Sequence, residues 1–487
     1  MVTRSNAGSD PGPHADQEVR PGGGASEPKP VLTFLGATGT VTGSRFHVEV
    51  GGCGILVDAG LYQGLASLRR RNWEEPDLTP ADLDAVVLTH AHLDHCGYLP
   101  RLVRGGFAGR VVCTRETAAL ATIVLRDSAH LQEEDARYAN QAGYSKHRPA
   151  LPLYTTADVE RTLPLLDPVP YGTRTPLADG IAVTLQPAGH ILGSSVALVE
   201  AGQTRTVFSG DLGRPSHPLL APPLPPPAAD AMVVESTYGD RRHPDPDPHV
   251  LADAVRRTAA RGGTGVIPAF AVDRTELVLL ELRRLLEAGA IPKLPIFVDS
   301  PMALATLDVY RKAMGRPSPQ LRQGAGARLS DAVDGLDVHP VADASESQQL
   351  NQPSFPCIVV SASGMGTGGR VVHHLAHQLP DRRNTVVLTG YQAEGTRGRQ
   401  LADGVSHVKV HGRYVPVRAE IVTVSDFSVH ADADELVGWL ASAPEPPRTV
   451  YVVHGEARAS RRLAARIEDE LGWCAVVPGL GERVRLD

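Results

Sequence analysis

The chain has 487 residues, of which 42% are hydrophobic and 21% charged. That apolar content excludes wholesale disorder, and the length is a prior of about three domains. A formal net charge of −7 excludes a basic coat over the whole surface, and five scattered cysteines with no CxxC pair exclude a disulfide framework or a cysteine zinc knuckle.

Residues 1–30 are rich in Gly, Pro, Ser and charge, without apolar periodicity or a signal-peptide core. They read as a disordered tail outside the fold. No apolar run reaches the roughly 18 residues a membrane span needs, so no membrane association is expected. Unpaired cysteines fit a reducing, cytoplasmic compartment. From Val31 short β-rich runs recur (Val31–Leu35, Arg45–Val50, Ile55–Val57, Ala85–Leu88), separated by glycine turns. Helical patterns at 116–136 and 157–166 follow, then strands Ile181–Leu185, Ser195–Glu200 and Thr204–Ser209. The proline-dense segment Pro215–Pro227 reads as an extended connector. After strand Ala231–Val234 the rhythm changes to helix 247–260, strand Thr264–Ile267, helix 272–287, strand Pro295–Val298, helix 302–314, and strands Cys357–Val360 and Thr385–Leu388. Strands alternating with helices imply a parallel, doubly wound unit. Residues 316–352 read as a polar, irregular surface excursion. The end of the chain returns to short strands (Glu420–Val424, Thr449–Val453, Ala475–Val477) and helices 432–442 and 457–471. No internal repeat is present.

The strongest local feature is Thr89-His90-Ala91-His92-Leu93-Asp94-His95-Cys96-Gly97, straight after an apolar strand. Imidazoles and carboxylates are what zinc takes when thiolates are absent. His90 and His92 lie two apart, so an extended segment points both to one side. Asp94 and His95 fall at the start of the next helix. Four such groups crowd a single tetrahedral ion, and two neighbouring ions are the natural solution. Further candidates stand at strand ends: His190, Asp211 in Ser209-Gly210-Asp211, and His454 in His454-Gly455-Glu456. Asp58 also ends a strand, either as a turn cap or as a group that orients ligands.

With these residues in place, His90-x-His92-x-Asp94-His95 followed by His190 and Asp211 resembles the metallo-β-lactamase superfamily pattern. Glu235-Ser236-Thr237-Tyr238, Pro268-Ala269-Phe270-Ala271, Asp299-Ser300-Pro301, Ser361-Ala362-Ser363-Gly364, Gly368-Gly369-Arg370, Gly390-Tyr391-Gln392, Ser428-Val429-His430 and Val453-His454-Gly455 are similar to its β-CASP subgroup of RNA-processing nucleases. The resemblance covers the chain from about Val31. It implies an α/β fold: a four-layer αββα metallo-β-lactamase domain (31–238 and 426–487) interrupted by an α/β parallel-sheet β-CASP cap (239–425). It implies two Zn2+, one held by His90, His92 and His190, the other by Asp94, His95 and His454, with Asp211 bridging. Asp94, Glu235, His430 and Asp58 are the catalytic candidates that it implies.

The activity so implied is hydrolysis of single-stranded RNA through hydroxide shared between the ions, leaving 5′-phosphate and 3′-hydroxyl ends. Ala91, Leu93 and Cys96 bring the first metal motif nearer the 3′-end-processing endonucleases than RNase J, so endonucleolytic cleavage is expected. A 5′–3′ exoribonuclease, a thioesterase- or lactonase-type hydrolase of the same fold, and a noncatalytic RNA-binding scaffold are the competing readings. For RNA contacts, the Gly/Ser loop with Ser363, Gly364, Gly368, Gly369 and Arg370 offers backbone N–H groups and a guanidinium, and Tyr391 a stacking face. A homodimer rests on family analogy alone.

Overall fold

A computed structural model describes residues 29–486 except 76, 144–146 and 246. The expected disordered tail lies outside the described residues, apart from Lys29 and Pro30. Two mixed seven-stranded sheets form the first part of the fold. One runs, edge to edge, Arg483–Arg485, Val31–Phe34, Phe46–Val50, Cys53–Val57, Ala85–Val87, Arg110–Cys113 and Leu166–Pro168. The other runs Ala475–Val476, Thr449–Val452, Ala231–Val234, Thr204–Phe208, Ser195–Ala201, Ile181–Pro187 and Thr175–Ala178.

Period-two alternation decides which face goes where. Ile55, Val57, Val87 and Val112 meet Val183, Leu185, Val199, Phe208 and Val233 between the sheets. Their sequence neighbours Leu56, Val86 and Val111 face outward, under Leu120, Val124 and Leu125 of helix Arg115–Ala142. On the far side Val207, Met232, Val450 and Val452 are covered by Leu436 and Leu440 of helix Ala433–Ala441 and by Leu463 and Ile467 of helix Ala457–Leu471. The layers are therefore α, β, β, α. Helix starts are chemically specified. Thr114 Oγ1 accepts the Thr117 N–H at 3.1 Å, and Asp432 and Glu435 form a reciprocal capping box.

The chain leaves this sandwich after Ala231–Val234 and returns at Thr449–Val452, two strands that pair in parallel. The intervening segment builds a six-stranded sheet in the order Val338–Pro340, Ile296–Val298, Cys357–Ser361, Thr264–Pro268, Thr385–Thr389 and Glu420–Val424. Every pairing in it is parallel, and both faces are covered. Ile267, Val360 and Val387 pack on helices Pro248–Ala260 and Arg274–Glu287, while Val266, Val386 and Leu388 pack on helix Arg370–Gln378.

Residues 316–352 depart from the expected irregular excursion. They hold helices Ala325–Asp334 and Ala344–Gln349 and the edge strand Val338–Pro340. Ala325 and Leu329 are buried in the core that also contains Leu307, Tyr310, Leu120 and Val124. Ala325, Leu329, Ala332 and Val333 make one face built mostly of small side chains, and the helix packs beside helix Pro301–Met314, which itself packs on helix Arg115–Ala142. Within the connector, Leu219 and Leu220 are buried there too, and Leu220 bridges to Leu321. No helix among the described residues is long and apolar enough to cross a membrane.

Candidate metal centre and RNA cleft

Most titratable residues of the centre sit just past the ends of buried strands, where the backbone stops pairing, while Asp94 and His95 lie on the short helix Leu93–Cys96. Ala85–Val87 leads to His90 and His92, Ile181–Pro187 to His190, Thr204–Phe208 to Asp211, Ala231–Val234 to Glu235 and Thr449–Val452 to His454. Asp58 (φ 59°) and His454 (φ 48°) adopt left-handed backbone conformations that are unfavourable for side chains larger than glycine. Such strain is tolerated where the surroundings over-determine it.

The candidates converge on Asp211. Its Oδ2 lies 3.4 Å from His90 Nε2 and 3.5 Å from His190 Nε2. Its Oδ1 lies 3.2 Å from His95 Nε2 and 3.4 Å from His454 Nδ1. His90, His92, His190 and Asp211 form one group with ligand atoms within 4.8 Å of one another, and Asp94, His95 and His454 form a second. His454 Nε2 is 3.2 Å from His95 Nε2 and 3.6 Å from Asp94 Oδ2.

The donor set fits metal coordination. His92 Nδ1 is approached by His90 Nε2 at 3.2 Å and by His190 Nε2 at 3.3 Å. One ring nitrogen has one lone pair and cannot accept from both. Asp211 Oδ1 is buried with no hydrogen-bond donor, as is His92 Nε2 with no partner. Burial holds His90 and His190 well below the usual imidazole range and brings His92 down to about 4. Neutral rings keep their lone pairs available for zinc. Burial opposes charge on Asp211 as well, but His454, His95 and His90 outweigh it and hold the carboxyl ionised.

Around this set, Asp58 accepts the His95 Nδ1–H at 2.7 Å, which leaves His95 Nε2 facing Asp211. Asp58 is itself held by the Thr89 N–H at 2.8 Å and by the Thr89 hydroxyl. Thr237 Oγ1 stands 3.2 Å from His454 Nδ1. Thr89 and Thr237 escaped the sequence reading. Their signal was adjacency, since each lies next to a motif residue. Glu235, fully buried, accepts the Leu212 N–H at 2.7 Å and faces His430 Nδ1 at 3.3 Å. Burial disfavours protonated His430, but Glu235 overcomes it and raises the imidazole above its ordinary value, with Asp211 and Asp94 adding.

The expected RNA contacts fare differently from one another. Phe270 lies 6.0 Å from the His92 ring and packs against Gly364, where a Cβ would come within 2.7 Å of the phenyl. Gly369 has φ 74° at the entry to helix Arg370–Gln378. Ser363 Oγ accepts the N–H groups of Thr367 and Gly368, so it closes the loop on itself. Arg370 is not an open fork. Its guanidinium donates to Asp299 at 2.7 Å and to the carbonyls of Val341 and Ala342, and Asp299 also binds His374. That buried carboxylate lies 71 positions away in sequence and was invisible locally. Tyr391 donates to Glu456 at 2.7 Å and meets Tyr238 edge-on at 5.6 Å.

Three family models match the chain: the metallo-beta-lactamase superfamily over residues 46–252, the Beta-Casp domain over 275–401, and the Zn-dependent metallo-hydrolase RNA specificity domain over 414–478. Ribonuclease TTHA0252 of Thermus thermophilus is 36% identical over 87% of this chain and 92% of its own length. This chain belongs to the β-CASP group of the metallo-β-lactamase superfamily. Other β-CASP relatives include the transcription termination factor FttA of Methanocaldococcus jannaschii, 30% identical over 87% of this chain and 67% of its own length. An RNase J-like protein of the same organism is 28% identical over 93% of this chain and 98% of its own length. A crystal structure from Enterococcus faecalis V583 matches with a TM-score of 0.50 at 16% identity, covering 94% of this chain and 100% of that one, and speaks for the fold alone.

Proposed function

We propose that this protein is a zinc-dependent ribonuclease that cuts single-stranded RNA endonucleolytically, leaving 5′-phosphate and 3′-hydroxyl ends. The observation that carries this reading is the Asp211 carboxylate placed between two imidazole groups, with the Glu235–His430 pair beside it. His90, His92 and His190 would hold one zinc and Asp94, His95 and His454 the other, with Asp211 shared. Bound zinc supplies a water of lowered pKa and neutralises phosphoryl charge.

The chain's own residues do the rest. Asp58 fixes the tautomer of His95, and Thr89 fixes Asp58. Glu235 holds His430 protonated, so that its imidazolium can steady the phosphoryl group or give a proton to the departing ribose 3′-oxygen. Through the Leu212 N–H, Glu235 also fixes the backbone beside Asp211. The cap, spanning 239–425, brings Phe270 to 6.0 Å from the His92 ring, and the half-buried Phe270 and Tyr391 offer aromatic faces for bases. These faces and the parallel-sheet cap favour RNA over a small ester or lactone.

Product mapping on end-labelled 5′-monophosphate and 5′-triphosphate RNAs tests the reading. Internal fragments with 5′-phosphates from both substrates support it. Mononucleotides released only from the monophosphate end would replace it with 5′–3′ exonucleolysis.

A further inference from the structure

Helix Ala457–Leu471 starts three residues after His454, on the sandwich side of the cleft. Its first turns carry Arg458, Arg461 and Arg462, which with Asp240 and Ala465 line an open groove of about 340 Å³. A chain of side-chain contacts leads from this groove toward the centre. The Tyr238 ring lies 6.3 Å from the His430 ring. The Arg241 guanidinium lies 5.9 Å from the centre of the Tyr238 ring. Asp240 then pairs with Arg241 at 2.8 Å and with Arg458 at 3.5 Å.

The charge balance along this helix changes abruptly. One turn further on, Arg466 is neutralised by Asp434 and Glu470. Arg461 and Arg462 are exposed and have no carboxylate partner among the described residues, in a chain whose net charge is −7. Arg458 is 87% exposed and shares its one anion with Arg241. Three guanidinium groups thus face a single carboxylate. Residues three and four apart stand about 5–6 Å from one another on a helix surface, and guanidinium is the better fork for phosphate.

We propose that the RNA strand, where it extends beyond the metal centre, runs along this groove with its phosphates on Arg458, Arg461 and Arg462. The inference rests on the ribonuclease reading and adds a docking track outside the cleft. Phosphate is favoured over an acidic protein segment because Asp240, at the groove's edge, lies two residues after Tyr238, whose ring stands 6.3 Å from that of His430.

The test uses the zinc-loaded full chain and unstructured oligo(A) of 6 and 24 nucleotides, comparing wild type with the double variant Arg461→Glu, Arg462→Glu. The expected result is a KM for the 24-mer raised by about tenfold, with the 6-mer KM and both kcat values unchanged. Losing two phosphate contacts on a single strand should also flatten the slope of log KM against log salt by about 1.4 for the 24-mer. The neutral pair Arg461→Gln, Arg462→Gln should show a smaller change of the same kind and guards against effects of added negative charge. Equal weakening of the 6-mer and 24-mer, or an unchanged salt slope, overturns the track while leaving the ribonuclease reading intact. Wild-type protein that cleaves neither oligomer overturns both.

Discussion

His430 stands with Nδ1 3.3 Å from Glu235 Oε2 and 3.8 Å from Asp211 Oδ2, although 195 residues separate it from Glu235. One imidazole therefore touches both the carboxylate at the heart of the metal set and a buried carboxylate outside it. Replacing His430 by Ala removes no member of either zinc-ligand set proposed above. Metal analysis of the variant should match wild type, while RNA cleavage falls by about 10²–10⁴, the usual worth of a positioned proton donor. Wild-type turnover would remove His430 from the chemistry.

Glu235 separates into two roles by substitution. In Glu235→Gln the amide oxygen still accepts from Leu212 N–H, but the charge facing His430 is gone. In Glu235→Ala the Leu212 N–H is left buried and unpaired, at a cost of about 1–3 kcal/mol. The Gln variant should keep both metals and lose rate, whereas the Ala variant should lose rate and also bind zinc more weakly. Competition with a chromophoric chelator reads the difference. Equal zinc affinity in the two variants would argue that Glu235 does not position Asp211.

The shared carboxylate makes a stoichiometric prediction. Wild-type protein should hold two zinc ions per chain. His190→Ala and His454→Ala, each affecting one group, should leave about one. Asp211→Ala should leave fewer, because both groups lose the same ligand. Mass spectrometry under native conditions counts the ions directly, and an Asp211→Ala protein that retains two would contradict a bridging role.

Much of this centre could be read before any coordinates, for a physical reason. Most of the proposed ligands stand past the ends of apolar strands and announce themselves as polar residues that stop a hydrophobic run, as His190 and Asp211 do. The αββα layering came from the family resemblance, and the alternation of strands and helices by itself announced only the parallel, doubly wound cap. What stayed hidden was partnership at a distance. Arg370 looks like a phosphate fork until Asp299 is found folded under it. Helix Ala325–Asp334 carries its stripe (Ala325, Leu329, Ala332, Val333) mostly in small side chains within a polar stretch, and Ala325 and Leu329 share a core with Leu307 and Tyr310. Asp273, at the entry to helix Arg274–Glu287, takes φ 70° and binds both His217 and Tyr310, partners 56 and 37 positions away.

Tyr310 ties the cap to the metal centre. Its hydroxyl donates to Asp273 at 2.8 Å and accepts the Leu192 N–H at 3.1 Å, two residues after His190. Tyr310→Phe leaves the Leu192 N–H and Asp273 Oδ1 without this partner, while Asp273 Oδ2 keeps His217, a loss of about 1–3 kcal/mol. Thermal denaturation should register that loss. Zinc competition should also show one of the two ions held more weakly, because the His190 turn loses its anchor. A variant destabilised by this amount with both zinc affinities intact would confine Tyr310 to packing.

Glu276 supplies the pH-dependent case. Both carboxyl oxygens are buried without hydrogen-bond partners, and burial, with Asp273 adding, pushes the group well above the usual carboxylate range. The folded chain therefore keeps Glu276 protonated where the unfolded chain, with a value of about 4.3, has released the proton. The native state binds the extra proton, so stability from this group is complete below about pH 4.3 and declines as pH rises toward the folded value. Over that window the decline is about 1.4 kcal/mol per pH unit. Glu276→Gln has nearly the same shape and nothing to titrate. Its melting temperature should be close to wild type near pH 4.5 and exceed it by a margin that grows as pH rises. Metal-site contributions cancel in the difference, since Glu276 belongs to neither ligand group. A margin that stays flat with pH would mean that the folded protein accommodates the Glu276 carboxylate in its charged form.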